Sequence, residues 1–72
     1  MEKLSLRAVR RASGRTLREV ADEMGYSTPQ QANNTEARED WLVSTVAQYV
    51  AACGGTVTVT VKVKGQVMEF EL

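Results

Sequence analysis

The sequence has no histidine, a single cysteine (Cys53) and a single proline (Pro29) among its 72 residues, and only 6% of it is aromatic. One cysteine cannot form an intramolecular disulfide, and without histidine the usual zinc sites of cysteine and histidine are excluded. No apolar run approaches the ~20 residues of a membrane-spanning helix, and nothing resembles a signal peptide. We therefore expect a cytoplasmic protein, since a lone thiol suits a reducing compartment.

The length predicts one small domain over residues 1–72, with a limited core. Domains of this size usually gain stability from disulfides, a metal or a partner chain. Because the composition argues against the first two, we expect a homodimer and no cofactor.

The formal net charge is zero, but the charges are unevenly distributed. Residues 1–18 carry one acidic residue, Glu2, and a set of basic residues: Lys3, Arg7, Arg10, Arg11, Arg15 and Arg18. Such asymmetry can give a neutral protein one positive face, which favours a nucleic-acid partner. The alternative is a solvated, basic first helix.

Residues that carry chemistry in enzymes are sparse. The sequence contains no nucleophile–base pair, no glycine loop that cradles phosphate and no metal-ligand spacing, so we do not expect an enzyme. The acidic residues Glu36, Glu39 and Asp40 are interpreted as charges at a helix start. Cys53 is interpreted as a small buried apolar residue.

The aromatic residues Trp41, Tyr49 and Phe70 are too scattered to form a base-stacking platform for single strands. We expect them to pack in the core or in a dimer interface.

Apolar periodicity divides the chain into helices followed by strands. We predict helices over about 4–12, 16–24, 29–37 and 41–53, and strands over about 56–64 and 67–72. Thr16 and Glu19 have the spacing of a capping box, and Thr28 with Gln31 repeats it. Asp40 is expected to cap the fourth helix, and Gly65-Gln66 to form the hairpin turn.

The same periodicity predicts which side chains face the core. For the first helix they are Leu4, Ala8, Val9 and Ala12, and for the second Leu17, Val20, Ala21 and Met24. For the fourth they are Leu42, Val43, Val46, Tyr49, Val50 and Cys53. On the last strand, Met68, Phe70 and Leu72 share one side.

Residues 16–35 combine two short helices with a turn at Gly25. The pattern Thr16-x-x-Glu19-Val20-Ala21-x-x-x-Gly25-Tyr26-Ser27 resembles the Cro/repressor-type (XRE) helix-turn-helix proteins. The segment Val43-Ser44-Thr45-x-x-x-Tyr49-Val50-x-Ala52-x-Gly54-Gly55 with its following strand is similar to the end of HigA-type antitoxins. Together the two resemblances cover roughly residues 4–64.

The resemblance implies an α+β fold, in which a helix-turn-helix bundle of about four helices precedes two antiparallel strands that aid dimerisation. It also implies a small transcriptional repressor that places helix 29–37 in the major groove of a pseudo-palindromic operator. The family usually has apolar residues six and nine positions after the turn glycine, where this chain has Gln31 and Asn34. A shift of one residue makes Ala32 and Thr35 the inward side.

The polar residues of this segment are the candidate site. Base-reading candidates carry amides that can pair with adenine edges: Gln30, Gln31, Asn33 and Asn34. Phosphate-binding candidates are cationic or lie at a helix start: Arg15, Arg18, Ser27, Thr28 and Arg38. Dimer-interface candidates form the apolar side of the strands: Val57, Val59, Val61, Val63 and Phe70.

Other interpretations of the same features stay open. The amide cluster can be a polar surface helix, and Lys62 and Lys64 can keep the strand edge unpaired. The tail favours an antitoxin that neutralises a protein toxin and autoregulates its operon. The zero net charge also fits a protein-interaction module that has lost DNA binding.

Overall fold

A computed structural model describes residues 3–72. Its elements, in chain order, are helices α1 (Leu6–Ser13), α2 (Leu17–Met24), α3 (Pro29–Ala37) and α4 (Val43–Ala52), and strands β1 (Thr58–Val63) and β2 (Gln66–Glu71). The two strands form one antiparallel sheet. The predicted α+β layout, helices first and a C-terminal hairpin last, is confirmed.

The turn between α2 and α3 follows from local sequence signals. Thr16 and Glu19 make the reciprocal capping box: the Thr16 hydroxyl accepts from the Glu19 N–H at 3.1 Å, and the Glu19 carboxylate accepts from the Thr16 N–H at 3.0 Å. Gly25 ends α2 in the left-handed region, with φ of +77°. The Tyr26 N–H then donates to the Ala21 carbonyl at 2.8 Å, which closes the helix end.

The fourth helix begins later than predicted. Leu42 is its N-cap and Val43 its first residue, so the expectation that Asp40 caps a helix from Trp41 is wrong. The Trp41 indole N–H donates to the Thr35 carbonyl at 2.7 Å. This bond ties Trp41 to the last turn of α3, and the chain bends there before α4 begins.

The core lies where the four helices meet. Its buried apolar residues are Leu6, Val20, Ala21, Ala32, Val46, Tyr49, Val50, Ala52 and Cys53. The predicted inward residues of α2 and most of those of α4 are confirmed, but Leu42 and Val43 are 73% and 61% exposed.

The predicted apolar stripe of the first helix is wrong for three of its four residues, and only Val9 packs against the core. Leu6 is fully buried, whereas Leu4 is 51% exposed and Ala8 and Ala12 lie on the surface. The inward side of α1 consists of Leu6, the half-buried Val9 and Arg10, whose side chain is largely buried. This arginine faces inward because a buried carboxylate, that of Glu36, lies there.

The hairpin turn is one residue earlier than predicted. Val63 pairs with Gln66, so the turn residues are Lys64 and Gly65 rather than Gly65 and Gln66. Both have positive φ, of 49° and 79°. Two consecutive positive values suit the right-handed twist of the paired strands.

The hairpin has one apolar and one polar face. Val59 lies opposite Phe70 and Val61 opposite Met68, and residues paired in this way share a face. Val59 and Val61 are half-buried, whereas β2 is exposed along its whole length. The apolar face therefore remains largely uncovered in the single chain.

Within residues 3–72, every helix falls short of the length and apolarity required to cross a bilayer.

The inward face of α1 can be tested by truncating Leu6 and, separately, Leu4, which precedes the helix. Leu6→Ala should lower the free energy of unfolding by about 2–5 kcal/mol, because it leaves a void in the core. Leu4→Ala, the matched control on an exposed side chain, should change it by less than about 1 kcal/mol. Urea titration followed by circular dichroism measures both, and equal losses would contradict this assignment.

Candidate functional site

The helix-turn-helix is built on small side chains where α2 and α3 meet. Ala21 is 1% exposed and Ala32 is fully buried, so the two helices approach closely. Thr35 is also buried, and its hydroxyl donates to the Gln31 carbonyl at 3.1 Å and lies 3.0 Å from the Tyr26 hydroxyl. The prediction that Ala32 and Thr35 face inward is confirmed.

A third inward residue of α3, Glu36, joins three helices. Its side chain is fully buried. Arg10 Nε lies 2.5 Å from one carboxylate oxygen and Arg7 Nε lies 3.2 Å from the other. The Tyr49 hydroxyl of α4 donates to the same carboxylate. The interpretation of Glu36 as a charge at a helix start is therefore wrong, since it lies in the last turn of α3 and is neutralised by α1.

The surroundings of Glu36 decide its protonation. Burial disfavours the charged carboxylate, but the hydrogen bonds from Arg10, Tyr49 and Arg7 outweigh burial and hold the pKa of Glu36 below its usual 4.5. Burial and the hydrogen bond to Glu36 together raise the pKa of Tyr49 well above 10.0. The phenol thus stays protonated as a donor while Glu36 stays ionised.

The opposite side of α3 presents amides to solvent. Gln30 and Asn34 are exposed, and Gln30 Nε2 donates to Asn34 Oδ1 at 2.9 Å. Residues four apart lie on the same side of a helix, and this bond links the two amides there. It leaves an acceptor at Gln30 Oε1 and donors at Asn34 Nδ2, the two kinds of group that an adenine edge requires.

The remaining amide candidates are placed differently. Gln31 Oε1 accepts from the Ser27 N–H at 2.6 Å and from the Thr28 N–H at 3.2 Å, so it holds the start of α3 as predicted from the capping pattern. These two N–H groups are consequently not free for phosphate, which leaves the hydroxyls of Ser27 and Thr28 for that role. Asn33 is half-buried at the edge of the exposed side.

The cationic candidates divide into engaged and exposed groups. Arg15 Nη1 donates to the Ala52 carbonyl at 2.7 Å and so ties the start of α2 to the end of α4. Beside Glu36, the side chain of Arg10 is mostly buried and that of Arg7 is 45% exposed. Arg18 and Arg38 are exposed, and neither makes a salt bridge with any residue from 3 to 72.

Sequence reasoning missed the cluster of Glu36, Arg10 and Tyr49. A usable signal was nevertheless present: Ala32, Thr35 and Glu36 have the spacing of one helical face, so a carboxylate four residues after an inward alanine must itself face inward. Such a carboxylate requires a cationic partner, and the first helix is rich in arginine.

No protein-family model matches the chain, and no curated protein matches it either. Among residues 3–72, the acidic and cysteine side chains form no group of three or more that could hold a metal ion.

The buried carboxylate gives a testable pH dependence. Because the pKa of Glu36 is lower in the folded chain than 4.5, its contribution to stability is present above pH 4.5 and is lost as the pH falls through the folded value. Glu36→Gln should cost about 3 kcal/mol at neutral pH, since it leaves Arg10 without its counter-charge.

The difference in unfolding free energy between the wild type and Glu36→Gln should shrink below pH 4.5. Urea titrations at several pH values measure this difference. Glu39→Gln, at an exposed carboxylate, is the control and should change stability little at any pH. A difference that is constant down to strong acid would count against an ionised Glu36.

Proposed function

We propose that this chain is a small Cro-like transcriptional repressor that binds double-stranded DNA sequence-specifically, with α3 in the major groove. One observation carries the proposal: α3 buries Ala32, Thr35 and Glu36 on one side and exposes Gln30 and Asn34 on the other. A helix anchored in this way presents hydrogen-bonding groups outward as a rigid unit. The major groove of B-DNA is wide enough to admit such a helix.

The paired amides suit bases better than phosphates. Gln30 and Asn34 lie one turn apart on α3 and together offer an acceptor and donors. Asparagine and glutamine form bidentate pairs with N6 and N7 of adenine, so the proposed operator contains A·T pairs at the contacted positions. Gln31 and Asn33 serve as flanking contacts. Gln31 also holds the start of the helix, and Asn33 is half-buried.

Phosphate contacts at both ends would fix α3 in the groove. The hydroxyls of Ser27 and Thr28 lie at its start, and Arg38 follows its last residue. Arg18 is exposed in the first turn of α2, and Arg15 has one guanidinium nitrogen bound to Ala52. Such contacts set orientation and do not read sequence.

We further propose that the repressor acts as a homodimer in the cytoplasm. The uncovered apolar face of the hairpin, which includes Val63, Met68 and Phe70, supports a partner chain, because large exposed apolar patches mark interaction sites. A two-fold dimer would bind a pseudo-palindromic operator with half-sites roughly 34 Å apart and would repress by occluding a promoter.

A second candidate function is an antitoxin that neutralises a protein toxin and autoregulates its operon. The same uncovered hairpin face favours it, because a toxin could cover that face in place of a second copy. A third candidate is a protein-interaction module that kept the scaffold but lost DNA binding, which the zero net charge favours. Loss of DNA affinity between ~50 and 200 mM salt separates a DNA binder from such a module.

The base-reading role is tested with Gln30→Ala and Asn34→Ala. Each variant should lose discrimination between the cognate and a mismatched duplex by roughly 5- to 150-fold, the equivalent of about 1–3 kcal/mol for one bidentate contact. Competitive mobility-shift titrations measure this ratio. Gln48→Ala removes an exposed amide from α4 and is the control. Unchanged selectivity in both α3 variants would defeat the base-reading claim.

The phosphate role predicts a different signature. Arg18→Ala should weaken binding to all duplexes by a similar factor and should reduce the slope of log affinity against log salt by about 1, because one phosphate is no longer neutralised. Fluorescence anisotropy at several salt concentrations gives the slope. Arg11→Ala, at an exposed arginine of α1, should leave the slope closer to that of the wild type. A slope unchanged by Arg18→Ala removes this residue from the interface.

A further inference from the structure

The two edges of the hairpin differ in the residues whose backbone N–H and C=O groups point outward. The Leu72 N–H donates to the Val57 carbonyl at 3.0 Å, so these residues form a hydrogen-bonded pair. In an antiparallel ladder such pairs alternate with pairs whose N–H and C=O groups point outward. Given the register of Thr58 with Glu71, the outward groups on β1 belong to Thr58, Thr60 and Lys62.

The outward backbone groups on β2 belong to Val67, Glu69 and Glu71 by the same alternation. Two copies of β2 paired about a two-fold axis would bring these carboxylates together. If the axis passes through Glu69, this residue lies opposite Glu69 of the partner subunit. If the axis passes through Phe70, Glu69 lies opposite Glu71 of the partner subunit. Like charges directly opposite each other destabilise a sheet, so both of these β2 registers are disfavoured.

The β1 edge has no such conflict. Its only charged residue within the strand is Lys62, and its central outward residue is Thr60. An antiparallel pair with Thr60 opposite its own copy places Lys62 opposite Thr58 of the partner subunit. Every outward N–H and C=O of these three residues then finds a partner, and the two Lys62 side chains lie far apart.

We propose that β1 pairs with β1 of a second copy, antiparallel and about a two-fold axis at Thr60, to form a four-stranded sheet in the order β2-β1-β1-β2. The inference rests on the homodimer of the proposed function, and it names the strand, the direction and the register. Lys62 and Lys64 are therefore tolerated at this edge rather than being guards that keep it single.

Charge complementarity across the new sheet supports this register. On the polar face, Thr58 lies between Glu71 of its own chain and Lys62 of the partner subunit. Glu71 and the partner's Lys62 are thus two strands apart, about 10 Å between backbones. Their long side chains can approach each other over the threonine, and the two-fold axis repeats the arrangement.

The same register extends the apolar face. Val61 of the partner subunit lies beside Val59, and the partner's Val63 lies beside Val57. Val57, Val59 and Leu72 line an apolar cavity of about 390 Å³ together with residues of the helical part, among them Val43 and Val46. The partner's two valines lie on the same side of the sheet as this cavity, so they are placed to cover it.

The register is tested by proline at matched positions. Thr60→Pro removes an outward N–H at the proposed axis, and Glu69→Pro removes the outward N–H of the residue paired with Thr60 on the other edge. Proline is tolerated at strand edges, so circular dichroism should show both variants folded. In sedimentation equilibrium without DNA, Thr60→Pro should dimerise at least 100-fold more weakly than Glu69→Pro.

Cysteine cross-linking tests the same contact without depending on proline. In a Cys53→Ala background, Thr60→Cys should oxidise to a covalent dimer, because residues opposite each other across the axis lie within disulfide reach. Glu69→Cys is the control and should remain largely monomeric on denaturing gels. Equal cross-linking by both, preferential cross-linking by Glu69→Cys, or a wild-type chain that stays monomeric would overturn the proposal.

These readouts fail separately from the proposed function. If the dimer centred on Thr60 forms but binds no duplex, the proposed repressor function is contradicted and the proposed strand pairing is supported. If Thr60→Pro still dimerises and binds DNA sequence-specifically, the proposed register is contradicted and the proposed repressor function is supported.

Discussion

The buried carboxylate of Glu36 is the interaction on which the arrangement of the helices depends. It receives Arg10 and Arg7 from α1 and the Tyr49 hydroxyl from α4, while its own backbone belongs to α3. An ionised group in a core must be compensated from several sides at once, so its partners have little freedom of position. The carboxylate therefore fixes the orientation of α3 relative to the helices around it.

This constraint matters because α3 has little stability of its own. Asn33, Asn34 and Thr35 are poor helix formers, and the helix has only nine residues. Its order comes from Gln31 at its start, from Ala32 and Thr35 against α2, and from Glu36 near its end. On the exposed side, Gln30 and Asn34 bond to each other rather than to another helix, so they remain available for the proposed recognition.

Local signals in the sequence were sufficient for most of the fold. Capping at Thr16, the glycine after Met24 and the change from helical to alternating periodicity predicted the order of elements. Periodicity failed where a charged residue is buried or an apolar one is exposed. Arg10 faces the core, whereas Leu4 and Leu42 face solvent. The inward position of Arg10 depends on Glu36, which follows it 26 residues later, so no local pattern contains this contact. The outward position of Gln30 and Asn34 and the capping of Thr28 by Gln31 were predicted. The hydrogen bond between the two amides and the second bond of Gln31, from the Ser27 N–H, were visible only in three dimensions.

The cluster around Glu36 also reduces the number of basic side chains that are available to a partner. Part of the basic excess of residues 1–18 is used internally, since Arg7 and Arg10 neutralise Glu36. Fewer cations remain for a phosphate backbone than the sequence suggests, so the proposed recognition depends more on α3 and on the pairing of two copies.

Selection of bound duplexes from a random library at moderate salt is the decisive experiment for DNA recognition by α3. We expect enrichment of one pseudo-palindromic motif with A·T pairs in each half-site and half-site centres about 10 base pairs apart. A library that shows no enrichment after repeated rounds, with the protein folded throughout, would rule out sequence-specific binding.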